Sequence, residues 1–238
     1  MDRELKNKYL NMLIDIFPGE LAADDFKSVL KNIARNDKLR EDRLGMFTAL
    51  YETIPECADN INPELLWNFT FANHYLEEFK IPEHITSIKN YAFCDCDKLT
   101  NIKIPDSVTS IEYSAFSYCT SLTSIKIPNS VTSIDYDAFY DCSGLTSIEI
   151  PSSITNIEYA VFRNCSGLTS VEIPESVTFI GSYAFENCIS LTSIKIPESV
   201  AFIGSYAFYN CPNLIVYTKN QYVIDYCKEN KIECKKEI

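Results

Sequence analysis

Ten cysteines and two histidines are the side chains of this sequence best suited to chemistry, as thiolate nucleophiles, disulfide partners or zinc ligands. Their spacing argues against these roles. Six of them, Cys96, Cys119, Cys142, Cys165, Cys188 and Cys211, recur once every 23 residues. Positions that recur in this way stack into a column, with neighbours about one strand spacing apart, roughly 5 Å. A disulfide between neighbours fits that distance but would tie only adjacent turns. As a buried column the thiols act instead as compact hydrophobes. No Cys-x-x-Cys pair occurs, Cys94-Asp95-Cys96 has no histidine beside it, and His74 and His84 are the only imidazoles. No metal site is expected from such ligand spacing.

The carboxylates offer no better catalyst. Asp24 and Asp25 precede an apolar helical stripe, where acidic residues favour the helix dipole. There is no glycine-rich phosphate loop, His-Glu metal helix or nucleophile elbow. No catalytic residue and no cofactor are expected, so the chain reads as non-enzymatic. The formal net charge of −12, with Arg163 the only arginine after Arg43, argues against nucleic acid as a partner. No apolar run approaches the ~20 residues that span a bilayer, so membrane insertion is not expected. The opening Met1-Asp2-Arg3-Glu4 mixes charge signs instead of leading into an apolar stretch, which predicts a cytoplasmic protein.

The elements behind these residues are set by an internal repeat. Blocks beginning at Ile81, Ile104, Ile127, Ile150, Ile173 and Ile196 align at a 23-residue period with no insertion. Each reads Ile-Pro-x-x-Val/Ile-x-x-Ile, then Ala-Phe in most copies, then Cys, Leu and Ile or Val. In Leu122-Thr123-Ser124-Ile125-Lys126-Ile127 the isoleucines fall two apart, the period of a strand with one buried face. The proline that follows has no amide to continue a ladder and turns the chain. The segment around Ile111 predicts a second short strand or extended turn on the opposite wall. Phe93, Phe116, Phe139, Phe162, Phe185 and Phe208 are expected to form an aromatic spine. A single coil cannot offset its own ordering entropy, so stability is a sum of nearest-neighbour terms.

These positions resemble the BspA-like leucine-rich-repeat family, through Ile-Pro-x-x-Val-x-x-Ile, Ala-Phe, x-Cys and Leu-x-x-Ile over about residues 74–238. The resemblance implies a right-handed, curved solenoid with a parallel sheet on its concave face. It also implies protein recognition or adhesion, often on cell surfaces, which stands against the cytoplasmic expectation. It carries no catalytic motif.

The expected organisation is an N-terminal helical domain over 1–73, a half repeat plus six full repeats over 74–218, and a C-terminal cap over 219–238. Apolar stripes such as Leu5, Tyr9, Leu13 and Ile16 predict the N-terminal helices. Gln221 to Asn230 predicts a capping helix, with an edge strand around Ile232-Glu233-Cys234.

Two surfaces are candidates for a partner. On the concave sheet the outward positions are Asn101 and Lys103, Ser124 and Lys126, Ser147 and Glu149, Ser170 and Glu172, and Ser193 and Lys195, continuing to Val216 and Thr218. The alternative is aromatic: Tyr113, Tyr136 and Tyr159 with Tyr118 and Tyr140, a residue type that gives large contact area at low entropic cost. The leading expectation is a protein partner. An adhesive component acting by self-association is the rival, glycans are left open, and the chain itself is expected to be a monomer or weakly self-associating.

Overall fold

The computed structural model describes residues 77–81 and 83–236. The helical domain expected over 1–73, and His74 to Leu76 of the opening half repeat, lie outside the described residues. The described chain winds through parallel strands with two walls. The longer strands are β1 (Glu78–Lys80), β3 (Asn101–Lys103), β5 (Ser124–Lys126), β7 (Ser147–Glu149), β9 (Ser170–Glu172), β11 (Ser193–Lys195) and β13 (Ile215–Thr218). The opposite wall holds two-residue strands: β2 (Ser87–Ile88), β4 (Ser110–Ile111), β6 (Ser133–Ile134), β8 (Asn156–Ile157), β10 (Phe179–Ile180) and β12 (Phe202–Ile203). Every pairing is parallel, and up to β12 the partners are equivalent positions of successive coils, such as Ser147 with Ser170 and Ser110 with Ser133.

Between the walls, each recurring residue has a fixed task. The phenylalanine rings from Phe93 to Phe208 stack in one line with centroids 5.2 to 5.7 Å apart. From Cys119 to Cys211 each thiol of the cysteine column donates to a phenylalanine carbonyl of the previous coil, as from Cys142 Sγ to Phe116 O at 3.1 Å. Burial pushes the thiols of Cys119, Cys165 and Cys188 well up, and that of Cys211 to about 12, so they stay protonated and keep donating at neutral pH. The cysteines of the described residues are unbridged. Hydroxyls add their own ladders: Thr169 Oγ1 donates to Thr146 O at 3.1 Å, and Ser176 Oγ to Ile154 O at 2.6 Å.

The Ala-Phe segment forms a third wall, bent twice in every coil. The residues two before and two after each phenylalanine take positive φ, as at Tyr91 (59°) and Asp95 (60°). None of these positions holds a β-branched residue, for which that conformation is a genuine outlier. In every coil but the last the cost of each bend is offset by a coil-to-coil bond from the same residue: Tyr91 N donates to Tyr113 O at 3.0 Å, and Asp95 N to Ser117 O at 2.9 Å.

The last coil departs from the regular period. β9 and β11 pair Ser170 with Ser193, but β11 pairs Ser193 with Ile215 and Ile194 with Val216. Leu214 keeps its buried place, and one residue is missing between it and the strand. A one-residue slip exchanges the two faces of a strand. Val216 and Thr218, expected outward, are therefore fully buried at 0% exposure, while Ile215 and Tyr217 turn outward and are half-buried. Val216, not Tyr217, takes the place of the strand isoleucine.

A helix, α1 (Gln221–Glu229), and strand β14 (Glu233–Lys236) close the end. Asn220 caps α1 by accepting from Tyr222 N at 2.9 Å, and its amide donates to Val200 O at 2.6 Å. Val223 and Cys227 are the helix's buried face, and Tyr226 sets its ring edge-on to Phe208 at 6.3 Å, ending the spine. β14 pairs β13, and Tyr222 Oη accepts from Ile203 N at 2.9 Å. Two of the three walls are thereby capped.

Candidate functional site

The sheet of longer strands presents its predicted columns. Asn101, Lys103, Ser124, Lys126, Ser147, Glu149, Ser170 and Glu172 are exposed, and Ser193 and Lys195 are half-buried. From β5 to β11, register sets Ser124, Ser147, Ser170 and Ser193 side by side, and Lys126, Glu149, Glu172 and Lys195 beside them. Among the described residues no ion pair uses Lys103, Lys126, Glu149 or Glu172. This face consists of small polar side chains beside a column of charges that runs Lys, Lys, Glu, Glu, Lys.

The third wall carries a different surface. Tyr136, Tyr159, Tyr183, Tyr206 and Tyr209 form an unbroken run of ring contacts with centroids 5.4 to 6.2 Å apart. Four of them are too exposed for core packing: Tyr136 at 49%, Tyr159 at 40%, Tyr206 at 53% and Tyr209 at 58%. Tyr113 pairs instead with Tyr91, edge-on at 5.1 Å, and Tyr118 with Tyr140 at 5.3 Å. Arg163 joins the second pair to the run. Its guanidinium carbon lies 5.8 Å from the Tyr140 ring and 5.3 Å from that of Tyr183, while its Nε ion-pairs with the nearly buried Glu186.

Spacing alone missed half of this surface. Tyr113, Tyr136 and Tyr159 stand three residues before their phenylalanines, whereas Tyr91, Tyr183 and Tyr206 stand two before theirs. In the later coils Gly181-Ser182 and Gly204-Ser205 precede the shifted tyrosine. A Cβ on Gly181 would meet the Glu158 carbonyl carbon at 2.7 Å, so glycine is what allows this close approach. The long side chain bridges the one-residue offset. The Gly-Ser-Tyr tripeptide beside Glu-Tyr or Asp-Tyr is the signal that would have joined the two groups.

Beside the run lies an amide ladder. Asn164 Nδ2 donates to Tyr140 Oη at 3.2 Å, Asn187 Nδ2 to Asn164 Oδ1 at 2.8 Å, and Asn210 Nδ2 to Asn187 Oδ1 at 2.9 Å. Electrostatic perturbation is modest. Burial raises Asp137 against the lowering effect of Arg163, and burial with the nearby Tyr140 raises Tyr118. Among the described residues no three His, Cys, Asp or Glu side chains gather to hold a metal, and no helix is long and apolar enough to cross a membrane.

A repeating coil of this kind, with its column of thiols and its two parallel walls, is matched by a family described as "BspA type Leucine rich repeat region (6 copies)", over residues 65–178 and 155–236. The chain belongs to the BspA-type leucine-rich-repeat family. Among solved structures, a Treponema pallidum leucine-rich-repeat protein is 28% identical, covers 68% of this chain and 86% of its own, and superposes with a TM-score of 0.59. A leucine-rich-repeat protein of Eubacterium ventriosum is 24% identical over 56% of this chain and 42% of its own, at a TM-score of 0.50. A leucine-rich cell surface protein of Faecalibacterium prausnitzii is 26% identical over 68% of this chain and 64% of its own, at 0.42. No curated protein sequence matches the chain. BspA-type repeats are generally non-catalytic interaction or surface modules, and the expected fold class stands for the described residues as a β-solenoid with parallel sheets.

Proposed function

We propose that this BspA-type chain is a non-catalytic protein-recognition module whose contact surface is the tyrosine–arginine wall. The observation that carries the reading is the run from Tyr136 to Tyr209, exposed yet held rigid ring against ring, with Arg163 fixed between tyrosines. Tyrosine and arginine dominate binding energy at protein interfaces, and side chains ordered before contact lose little entropy on binding. The serine and charge columns of the sheet offer neither large apolar area nor preset geometry, and exposed single charges contribute little to affinity.

The test is affinity for a partner captured on the full chain. The Tyr136→Ala/Tyr159→Ala double variant is expected to weaken that partner by about 2 kcal/mol or more, roughly thirtyfold. Charge reversal at Lys103, Lys126, Glu149 and Glu172 is expected to leave affinity within about threefold, as solvated charges do. The opposite pattern would move recognition onto the sheet.

A further inference from the structure

The capping helix and β14 complete two walls of the last coil and leave the third open. In each earlier coil the amides two before, at and two after the phenylalanine donate to the next coil, as Tyr183 N does to Ser205 O at 3.1 Å, Phe185 N to Ala207 O at 2.8 Å and Asn187 N to Tyr209 O at 2.9 Å. Tyr206 N, Phe208 N and Asn210 N are the matching donors of the last coil, and among the described residues they meet no acceptor. The side chains end there as well. The amide ladder stops at Asn210, whose Nδ2 is engaged and whose Oδ1 is the ladder's last acceptor. Tyr183 stacks on one face of Tyr206 with rings 18° apart, so the other face is turned to the end of the solenoid. Tyr209 stands at 90° to it, 5.5 Å away.

Tyr206, Phe208, Tyr209 and Asn210 line an open groove of about 570 Å³, shared with Tyr226 and Asn230 of the cap. That volume falls among small-ligand sites, about 300–1,000 Å³. We infer that this groove is a binding site for a neutral oligosaccharide, with one pyranose ring seated in the corner made by Tyr206 and Tyr209.

The chemistry of the lining selects that class. A pyranose has an apolar C–H face and a rim of hydroxyls, and each hydroxyl both donates and accepts. The corner supplies two aromatic faces at right angles for the C–H face, whose burial is favourable. Around it lie open backbone donors, the Asn210 acceptor, the Asn213 amide and Asn230, whose Nδ2 already donates to Tyr226 O at 2.9 Å, a mixed set suited to hydroxyls and not to a ligand that only accepts. The charged lining residues are Lys231 and Glu233, which cancel, so neither an acidic nor a basic ligand is favoured. An extended peptide does not fit the open edge. Positive φ at Tyr206 (59°) and Asn210 (55°) bends the donor segment twice, and strand addition needs a straight edge.

The inference is separate from the protein-recognition reading: Tyr206 and Tyr209 end the wall's ring run and also line the groove, whereas Tyr136 and Tyr159 do not, so the two readings are tested by different variants. The full chain is titrated with maltotriose, cellotriose and triacetylchitotriose, with trigalacturonate as the charged counterpart and oligoalanine as the peptide, by saturation-transfer NMR. At least one neutral trisaccharide is expected to bind. Tyr209→Ala should weaken it about tenfold or more, a loss of ~1.4 kcal/mol. Tyr209→Phe should keep it, since the ring face is retained, and Tyr136→Ala should leave it unchanged. Tyr209 is among the most exposed of the tyrosines, so its loss should not disturb the fold, and an unchanged thermal midpoint checks this. Binding of none of the neutral sugars, binding only of trigalacturonate or oligoalanine, or neutral binding indifferent to Tyr209→Ala would each overturn the assignment.

Discussion

Phe139→Ala should destabilise the solenoid by about 3–5 kcal/mol, the loss expected when a buried phenylalanine is truncated and its site cannot collapse. Phe139 is fully buried and stacks on both neighbours, Phe116 at 5.4 Å and Phe162 at 5.7 Å. Its removal opens a cavity shared by two coil interfaces, and it also withdraws ring contacts worth ~0.5–1.5 kcal/mol each. Because stability in a stack is carried between neighbours, the damage should be local as well as large. Urea unfolding followed by hydrogen exchange should split into two transitions, with coils before and after Phe139 opening separately. A single transition shifted by less than about 1 kcal/mol would mean that the coils do not depend on the spine for cohesion.

The second large effect concerns the slipped strand. Val216→Asp is expected to cost about 3 kcal/mol or more and to detach the cap, because it places a carboxylate where no water reaches. Tyr217→Asp should change stability by no more than about 0.5 kcal/mol. Its side chain points outward, and register sets it between Lys195 and Lys235. An uninterrupted 23-residue period predicts the reverse ranking, since it puts position 217 in the core. Thermal melts of the two variants decide between them: a Tyr217→Asp protein that melts far below Val216→Asp would restore the regular register.

These residues also mark how far the sequence could be read. Where position alone fixes a side chain's place, the reading was complete: the phenylalanine spine, the cysteine column and the outward serines and charges all follow from the repeat and the strand's two-residue alternation. It failed at Val216 because a deletion of one residue inside an otherwise matching repeat is invisible to apolar pattern, as Ile215, Val216 and Tyr217 all suit a strand. It failed at Tyr183 and Tyr206 for a different reason. Ring contact depends on reach, and a tyrosine spans the offset between adjacent positions, so a column counted strictly by period stops at Tyr159. Arg163 over Tyr140 and Tyr183 belongs to the same class, since the reach of a flexible three-methylene stem and its guanidinium is not encoded in spacing. The left-handed bends at positions such as Tyr91 and Tyr118 had no glycine to announce them. They exist because the coil-to-coil ladder over-determines them. The sequence also hides the open donors of Tyr206, Phe208 and Asn210, which arise only because the cap covers two walls of three.

Protein recognition through the tyrosine–arginine wall, as proposed for this BspA-type chain, would leave a footprint on that wall. Hydrogen exchange on the full chain, with and without its captured partner, tests it most directly. Slowed exchange confined to the segments around Tyr136–Tyr140, Tyr159–Arg163 and Tyr183–Glu186, with the strands from Ser124 to Lys195 unchanged, is the predicted footprint. Protection centred on Ser124–Lys126, Ser147–Glu149 and Ser170–Glu172, with the tyrosine segments unaffected, would contradict it.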